Sequence, residues 1–196
     1  MFKKQFMRLL CGAALMAVCA LAQEDYTRFK SDATVQGIGS FVKQTTQNGI
    51  KQEATNTGGV LGTYRFWFDR HNGIEANYAW TQNTEKYNLS AVDSNSHEIS
   101  AAYVFRMPMK WWSPFVLAGA GALVFDPKNF AAASTQTRAA FVYGGGADVN
   151  LTSHFFVRGE YRGLVYNSPT YDLASLKALD RVTHRAEPSV GFGWRF

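Results

Sequence analysis

The stretch "SVGFGWRF", residues 189–196, alternates two kinds of side chain with a period of two. Val190, Phe192, Trp194 and Phe196 make an apolar face, while Ser189, Gly191, Gly193 and Arg195 make a small and charged one. A period of two is the signature of a β-strand. A strand that is greasy on one side and ionic on the other must sit between two different surroundings.

The same alternation recurs upstream. It predicts strands over 33–42, 60–69, 73–82, 97–106, 113–125, 138–149 and 155–166, with the last over 183–196. Tyr64, Phe66 and Phe68 oppose Thr63 and Arg65, and Ile74, Ala76, Tyr78 and Trp80 oppose Glu75 and Asn77. Ile99, Ala101, Tyr103 and Phe105 oppose Glu98 and Ser100. Phe141 and Tyr143 oppose Val142 and Asp148, and Val157, Tyr161 and Val165 oppose Arg158, Glu160 and Arg162. In the last strand Arg185 and Glu187 share the face of Ser189.

Two kinds of connection separate these strands. Asp69–Gly73, Met107–Lys110 and Asn150–Ser153 are tight turns, whereas long polar segments centre near residues 50, 90, 130 and 174. An even strand number with short turns at one end and long loops at the other is the pattern of a transmembrane β-barrel. A soluble sandwich would alternate too, with its apolar face inward. Charges that recur in mid-strand on a single face argue for lipid outside. So do aromatics gathered at strand ends. Phe66, Phe68, Phe105, Trp111, Trp112, Phe155, Trp194 and Phe196 gather beside the short turns, and Phe41, Trp80, Phe125, Phe141 and Tyr166 beside the long loops. The fold class expected is therefore all-β: one closed antiparallel eight-stranded transmembrane barrel.

Two places fit less well. "FVLAGAGALVF", residues 115–125, is apolar on both faces and reads equally as a buried soluble strand. If Phe115, Leu117, Leu123 and Phe125 meet lipid, the lumen receives Val116, Ala118, Ala120, Ala122 and Val124. Pro188 removes a ladder hydrogen bond from the last strand, and a local bulge is the expected remedy.

With its terminal strand, the chain resembles the small eight-stranded outer-membrane barrels of the OmpA and OmpX type over nearly all of residues 23–196. Ser189, Gly191, Trp194 and Phe196 look like that family's assembly signal: polar, any, Gly, any, any, aromatic, any, terminal aromatic. The resemblance implies that the outer-membrane assembly machinery reads this strand and that chaperones escort the chain through the periplasm. It also implies integral residence in the outer membrane, in contact with outer-membrane lipid and lipopolysaccharide, with both termini in the periplasm.

The first 22 residues read as a cleaved signal peptide: Lys3, Lys4 and Arg8, then an apolar run from Leu9 to Ala22 that ends on Ala-Leu-Ala. At 14 residues that run is too short to span a bilayer as a helix. Domain organisation is thus 1–22 signal and 23–196 barrel. Cleavage removes Cys11 and Cys19, and three of the 20 basic residues, so 17 bases face 15 acids and the net charge falls from +5 to +2. Such a balance gives no reason to expect a nucleic-acid partner.

The chemistry the sequence offers is mostly inward. Arg65, Arg158, Arg162 and Arg185 share the lumen with Glu75, Glu98, Asp148, Glu160 and Glu187. Buried charges must be paired or wet. Arg65 with Glu75 and Asp148 with Arg158 lie about equally far from their turns, and Arg162 with Glu187 is a third pairing. A salt-bridged plug or a narrow gated pore for ions or small solutes both fit this set. A lipid-modifying enzyme is a third reading, with His97 beside Ser94, Ser96 and Glu98 at the outer rim as its only cluster. No family motif accompanies that cluster, so no catalytic role is expected. No metal spacing or cofactor motif is present either. The first loop, 43–59, suits hydrogen bonding, and Leu173, Leu176 and Leu179 suggest a short helical cap over the mouth. The function expected is structure, anchoring or surface interaction through such loops.

Overall fold

The computed structural model describes residues 26–42, 45–47, 50–54, 57–87, 90–128, 135–167 and 182–196. The signal segment and the Leu173–Leu179 stretch lie outside these residues.

Among the described residues a single 3-10 turn, Tyr26–Arg28, precedes ten strands. They are β1 (Ser31–Val42), β2 (Thr45–Gln47), β3 (Ile50–Ala54), β4 (Thr57–Trp67), β5 (Asn72–Tyr87), β6 (Ser90–Arg106), β7 (Trp112–Pro127), β8 (Gln136–Asn150), β9 (Phe155–Asn167) and β10 (Val182–Arg195). Eight of them, β1 and β4 to β10, pair antiparallel with their neighbours, and β1 pairs with β10 to close the ring. Closure leaves no open edge inside hydrocarbon, where an unpaired backbone group has no water to turn to.

The register fixes the barrel's shape. Following cross-strand partners from Ser31 leads through Phe66, Ile74, Tyr103, Ala118, Tyr143, Gly163 and Ala186 to Phe41, ten residues further along β1. With strands about 4.8 Å apart and a rise of about 3.4 Å per residue, that stagger tilts the strands by about 40°. Each residue then climbs about 2.6 Å along the axis. About ten residues cross the apolar band of about 25 Å.

The 17 residues of β6 exceed that need, and with β5 they rise well beyond the other strands. The polar segment near residue 90 is therefore ladder rather than loop: β5 and β6 stay paired up to Tyr87 and Ser90. The first loop is also partly strand, since β2 pairs with β3 and β3 with β5.

At the opposite end the connections are tight. Phe68 N–H donates to the Asn72 carbonyl at 2.9 Å, and Met107 N–H to the Pro114 carbonyl at 2.9 Å. Leu151 N–H and Thr152 N–H both reach the Phe155 carbonyl at 3.0 Å. The Asp69 carboxylate closes the first turn by accepting from the Asn72 side chain and from the His71 and Asn72 backbone N–H groups. These bonds, the Asn72 side chain first, hold its pKa below the usual carboxylate value. A lowered folded pKa adds stability above the unfolded value, and that stability is lost as pH falls through the folded one. Asp69→Asn is accordingly expected to flatten the acid limb of the barrel's urea-unfolding midpoint against pH.

The outward faces carry Val35, Tyr64, Ile99, Phe192 and the short-turn aromatics, all exposed. Two expectations about facing are corrected. On β7, Phe115, Leu117, Leu123 and Phe125 point inward and are buried, while Val116 is exposed. Phe125 and Tyr166 do not belong to the outer aromatic girdle; they meet inside, ring centroids 5.9 Å apart. A buried apolar cluster, mostly on β6 to β9 with Trp67 of β4, thus shares the lumen with the charges. The bulge expected at Pro188 is absent too. Pairing with β9 runs unbroken through Pro188, and the β1–β10 register is the same at Ile38–Ser189 and at Phe41–Ala186. The ladder to β1 simply lapses between those pairs, which is where a residue without N–H can sit.

Candidate functional site: the buried charge stack

Strand pairing sets the site. Arg65 and Glu75 lie directly opposite on β4 and β5, Asp148 and Arg158 on β8 and β9, and Arg162 and Glu187 on β9 and β10. Opposite charges across an antiparallel pair attract. Here their side chains also leave the sheet on the lumen side. All nine of Arg65, Glu75, Glu98, Asp148, Arg158, Glu160, Arg162, Arg185 and Glu187 are at most 5% exposed.

The structure brings these nine into one connected stack. Arg158 donates to Asp148 at 2.7 Å and to Asp32 at 3.1 Å. Arg65 pairs with Glu75 and lies 3.5 Å from Glu160. Arg162 reaches across the barrel to Glu98 on β6 at 3.0 Å while holding Glu187 at 2.6 Å. Arg185 pairs with Glu187 at 2.8 Å and donates to Thr81 on β5 and Ser96 on β6.

Two buried charges, Asp32 and Arg106, escaped the sequence reading, and Arg195, already on the charged face of the last strand, was left out of its lumen set. Extending each strand's alternation to its end would have found them, because all three share the parity of their inward neighbours. With them the fully buried charges number six arginines and six carboxylates, formally balanced, among the described residues.

Buried rings support the cations. The Arg65 guanidinium lies 3.9 Å from the Phe115 ring centre, Arg195 4.1 Å from Phe156, and Arg106 3.6 Å from Trp67. Such contacts favour a desolvated cation. Trp67 also donates its indole N–H to the Asp32 carboxylate at 2.7 Å. Trp67→Phe keeps an aromatic ring but removes the indole N–H with its charge-assisted bond and part of the buried ring surface, so a loss of at least about 1.5–2 kcal/mol is expected in urea unfolding followed by circular dichroism.

The outer-rim cluster does not converge. Ser94, Ser96 and Glu98 face the lumen, whereas His97 lies on the outer face with Nδ1 2.8 Å from the Tyr78 hydroxyl. The sheet stands between imidazole and carboxylate. His184 on β10 makes a similar outward contact, 2.8 Å from the Tyr143 hydroxyl, whose ring lies over Gly163. No group of three metal-ligating side chains occurs among the described residues.

The terminal strand completes the barrel. Ser189 faces inward and donates to Gln36 at 3.1 Å, and Gly191 sits against the β1 backbone at Val35 and Gln36. Trp194 and Phe196 point outward and are exposed. Phe196 and Ser31 exchange both backbone hydrogen bonds, at 3.0 and 3.2 Å.

A family model described as "Outer membrane protein beta-barrel domain" matches residues 9–196. Solved structures share the fold. Ail, the attachment invasion locus protein of Yersinia pestis, is 22% identical, with 86% of this chain and 99% of that one aligned at a TM-score of 0.58. OprG of Pseudomonas aeruginosa is 16% identical over 88% and 99%, at 0.59. Neisserial surface protein A is 12% identical over 85% and 97%, at 0.65. No curated protein matches the chain significantly.

Proposed function

Because this chain belongs to the outer membrane protein beta-barrel domain family and is integral to the outer membrane, we propose that it serves as a closed anchor presenting extracellular hairpins for surface interaction. One observation carries this reading: the lumen is filled by twelve formally balanced buried charges and the apolar cluster that shares it with them. Eight strands enclose a space that side chains can just fill, and here they do.

The hairpins supply the presenting surface. Above the barrel β2, β3, β5 and β6 form one sheet, and β6 from Ser90 to Asp93 runs beyond its pairing with β7, which begins at Ser94. Sheet edges offer unpaired backbone groups to an added strand. On this reading both termini face the periplasm, at the short-turn end. Residues 1–22 are the export signal, and Ser189, Gly191, Trp194 and Phe196 are read by the assembly machinery after chaperoned transit. Lipopolysaccharide surrounds the outer half.

The test replaces residues 45–54 and 83–93 with short Gly-containing turns. The variant is expected to keep the boiling-dependent gel shift of a folded barrel and to lose surface contacts captured by cross-linking on intact cells. Unchanged capture overturns the reading.

A narrow pore is the second reading, favoured by one detail. Glu160 sits in mid-barrel with no hydrogen bond on either carboxylate oxygen, and both terminal nitrogens of Arg65 lack one as well. Groups held by charge alone rearrange more easily than bonded ones, and water would satisfy them. The anchor reading predicts baseline current in planar bilayers for the native chain and for Glu75→Ala. Discrete steps that grow in Glu75→Ala or Arg65→Ala would establish the pore instead.

A further inference from the structure

β1 and β10 close the barrel, yet they stand first and last in the order of strands. The other neighbouring pairs share a turn or a loop, whereas these two meet without a connecting segment. Their ladder also lapses between Ile38–Ser189 and Phe41–Ala186. Inside hydrocarbon the two strands part at high cost, because their backbone groups would have no water to turn to. Fraying of this seam therefore starts at a wet end. At the short-turn end its last bonds are the two exchanged by Ser31 and Phe196, at 3.0 and 3.2 Å.

A short run of chain crosses that end. The 3-10 turn Tyr26–Arg28 leads into it. On one side the Lys30 carbonyl accepts from the Trp67 N–H of β4 at 2.8 Å. On the other, Phe29 reaches His154 in the turn before β9, with ring centroids 4.6 Å apart. His154 meets the Trp194 ring of β10 at 5.1 Å, and its carbonyl accepts from the Arg195 N–H at 2.9 Å. Phe155 packs edge-on against Trp194 at 4.1 Å. The Arg28 guanidinium covers Phe29 at 4.9 Å, and Phe29 and His154 are both half-buried. Residues 28–30 thus tie β4 to the turn before β9, with the seam between them.

We propose that Arg28–Lys30 and His154 form a strap that locks the β1–β10 seam at its short-turn end. His154 touches Phe29 from one flank of the seam and Trp194 from the other, so the strap sets only after β10 has met β1. A contact made after closure slows opening and leaves the rate of closure unchanged. Its contribution is to how long the barrel stays shut, and it holds whether the lumen is plug or pore.

The experiment measures amide hydrogen exchange by nuclear magnetic resonance on the full chain refolded into phospholipid nanodiscs. Phe29→Ala and His154→Ala are each expected to raise exchange at Ser31 and Phe196 about fivefold, the factor that one aromatic pair supplies. The Met107 N–H, bonded to the Pro114 carbonyl in a turn away from the seam, should keep its rate. The double variant should add little to His154→Ala, because both changes break the same contact. His154→Phe keeps a ring and should restore most of the protection. Phe29→Leu, expected to act about twofold, covers the case in which alanine prevents folding. Urea unfolding of the same chains should quicken by the same factor, with refolding unslowed. Unchanged exchange at Ser31 and Phe196 overturns the proposal. So does an equal rise at Met107, or a refolding rate that falls while unfolding holds.

Discussion

Arg162→Leu is expected to destabilise the barrel by about 3–5 kcal/mol, the cost of leaving a buried charge without its partner. Arg162 holds Glu98 at 3.0 Å and Glu187 at 2.6 Å, and both carboxylates are buried. Glu187 keeps Arg185 at 2.8 Å. Glu98 keeps its hydrogen bond from the Ser100 hydroxyl, which carries no charge to balance it. The measurement is reversible urea unfolding in lipid vesicles, followed by tryptophan fluorescence. Pairing the change with Glu98→Gln separates two effects. If the cost comes from the orphaned carboxylate, the double variant recovers a large part of the loss; if it comes from lost packing, the two changes add. Simple additivity would show that the stack is not an electrostatic unit.

Val190→Arg is expected to cost about 2–4 kcal/mol, the penalty for a cation on the lipid face near the bilayer midplane. Val190 is 61% exposed and lies midway along β10. In a water-facing protein so exposed a position would accept arginine almost freely, within about 0.5 kcal/mol. A cost that small would remove the membrane from the outer face. Val182→Arg supplies the depth control: Val182 lies at the outer end of β10, and there the expected cost falls to about 0–1 kcal/mol.

Strand number, closure and the inward set of charges were legible because alternation is informative wherever the two faces differ. β9 shows this well: Arg158, Glu160 and Arg162 against Val157, Tyr161 and Val165 admit only one assignment once lipid is outside. β7 shows the limit. In "FVLAGAGALVF" both phases are apolar, so the period has no contrast to read. What decides the phase is Phe115, which provides the surface under Arg65 and Arg158, a requirement set by strands distant in sequence. Phe125 and Tyr166 were placed by their nearness to strand ends; the parity of Tyr166 already put it with Arg158, Glu160 and Arg162, whereas Phe125 shares the ambiguity of β7. The extended β5–β6 hairpin was hidden for another reason: its polar sequence carries no hydrophobic period to read, although its backbone stays paired up to Tyr87 and Ser90. Within the charge stack, cross-strand pairs followed from turn symmetry, but the contact from Arg162 to Glu98 spans β9 to β6 and depends on the width of the lumen.

Contacts of that last kind act as spokes. Backbone ladders join each stave only to the next and resist stretching around the rim, yet they offer little against squashing the circle into an ellipse. Arg162 to β6, Arg185 to β5 and Arg65 to β9 run across the diameter and oppose such ovalisation. Lateral pressure from the surrounding bilayer therefore falls on a braced wheel rather than on a bare hoop, and the cross-section should stay round as membrane tension varies.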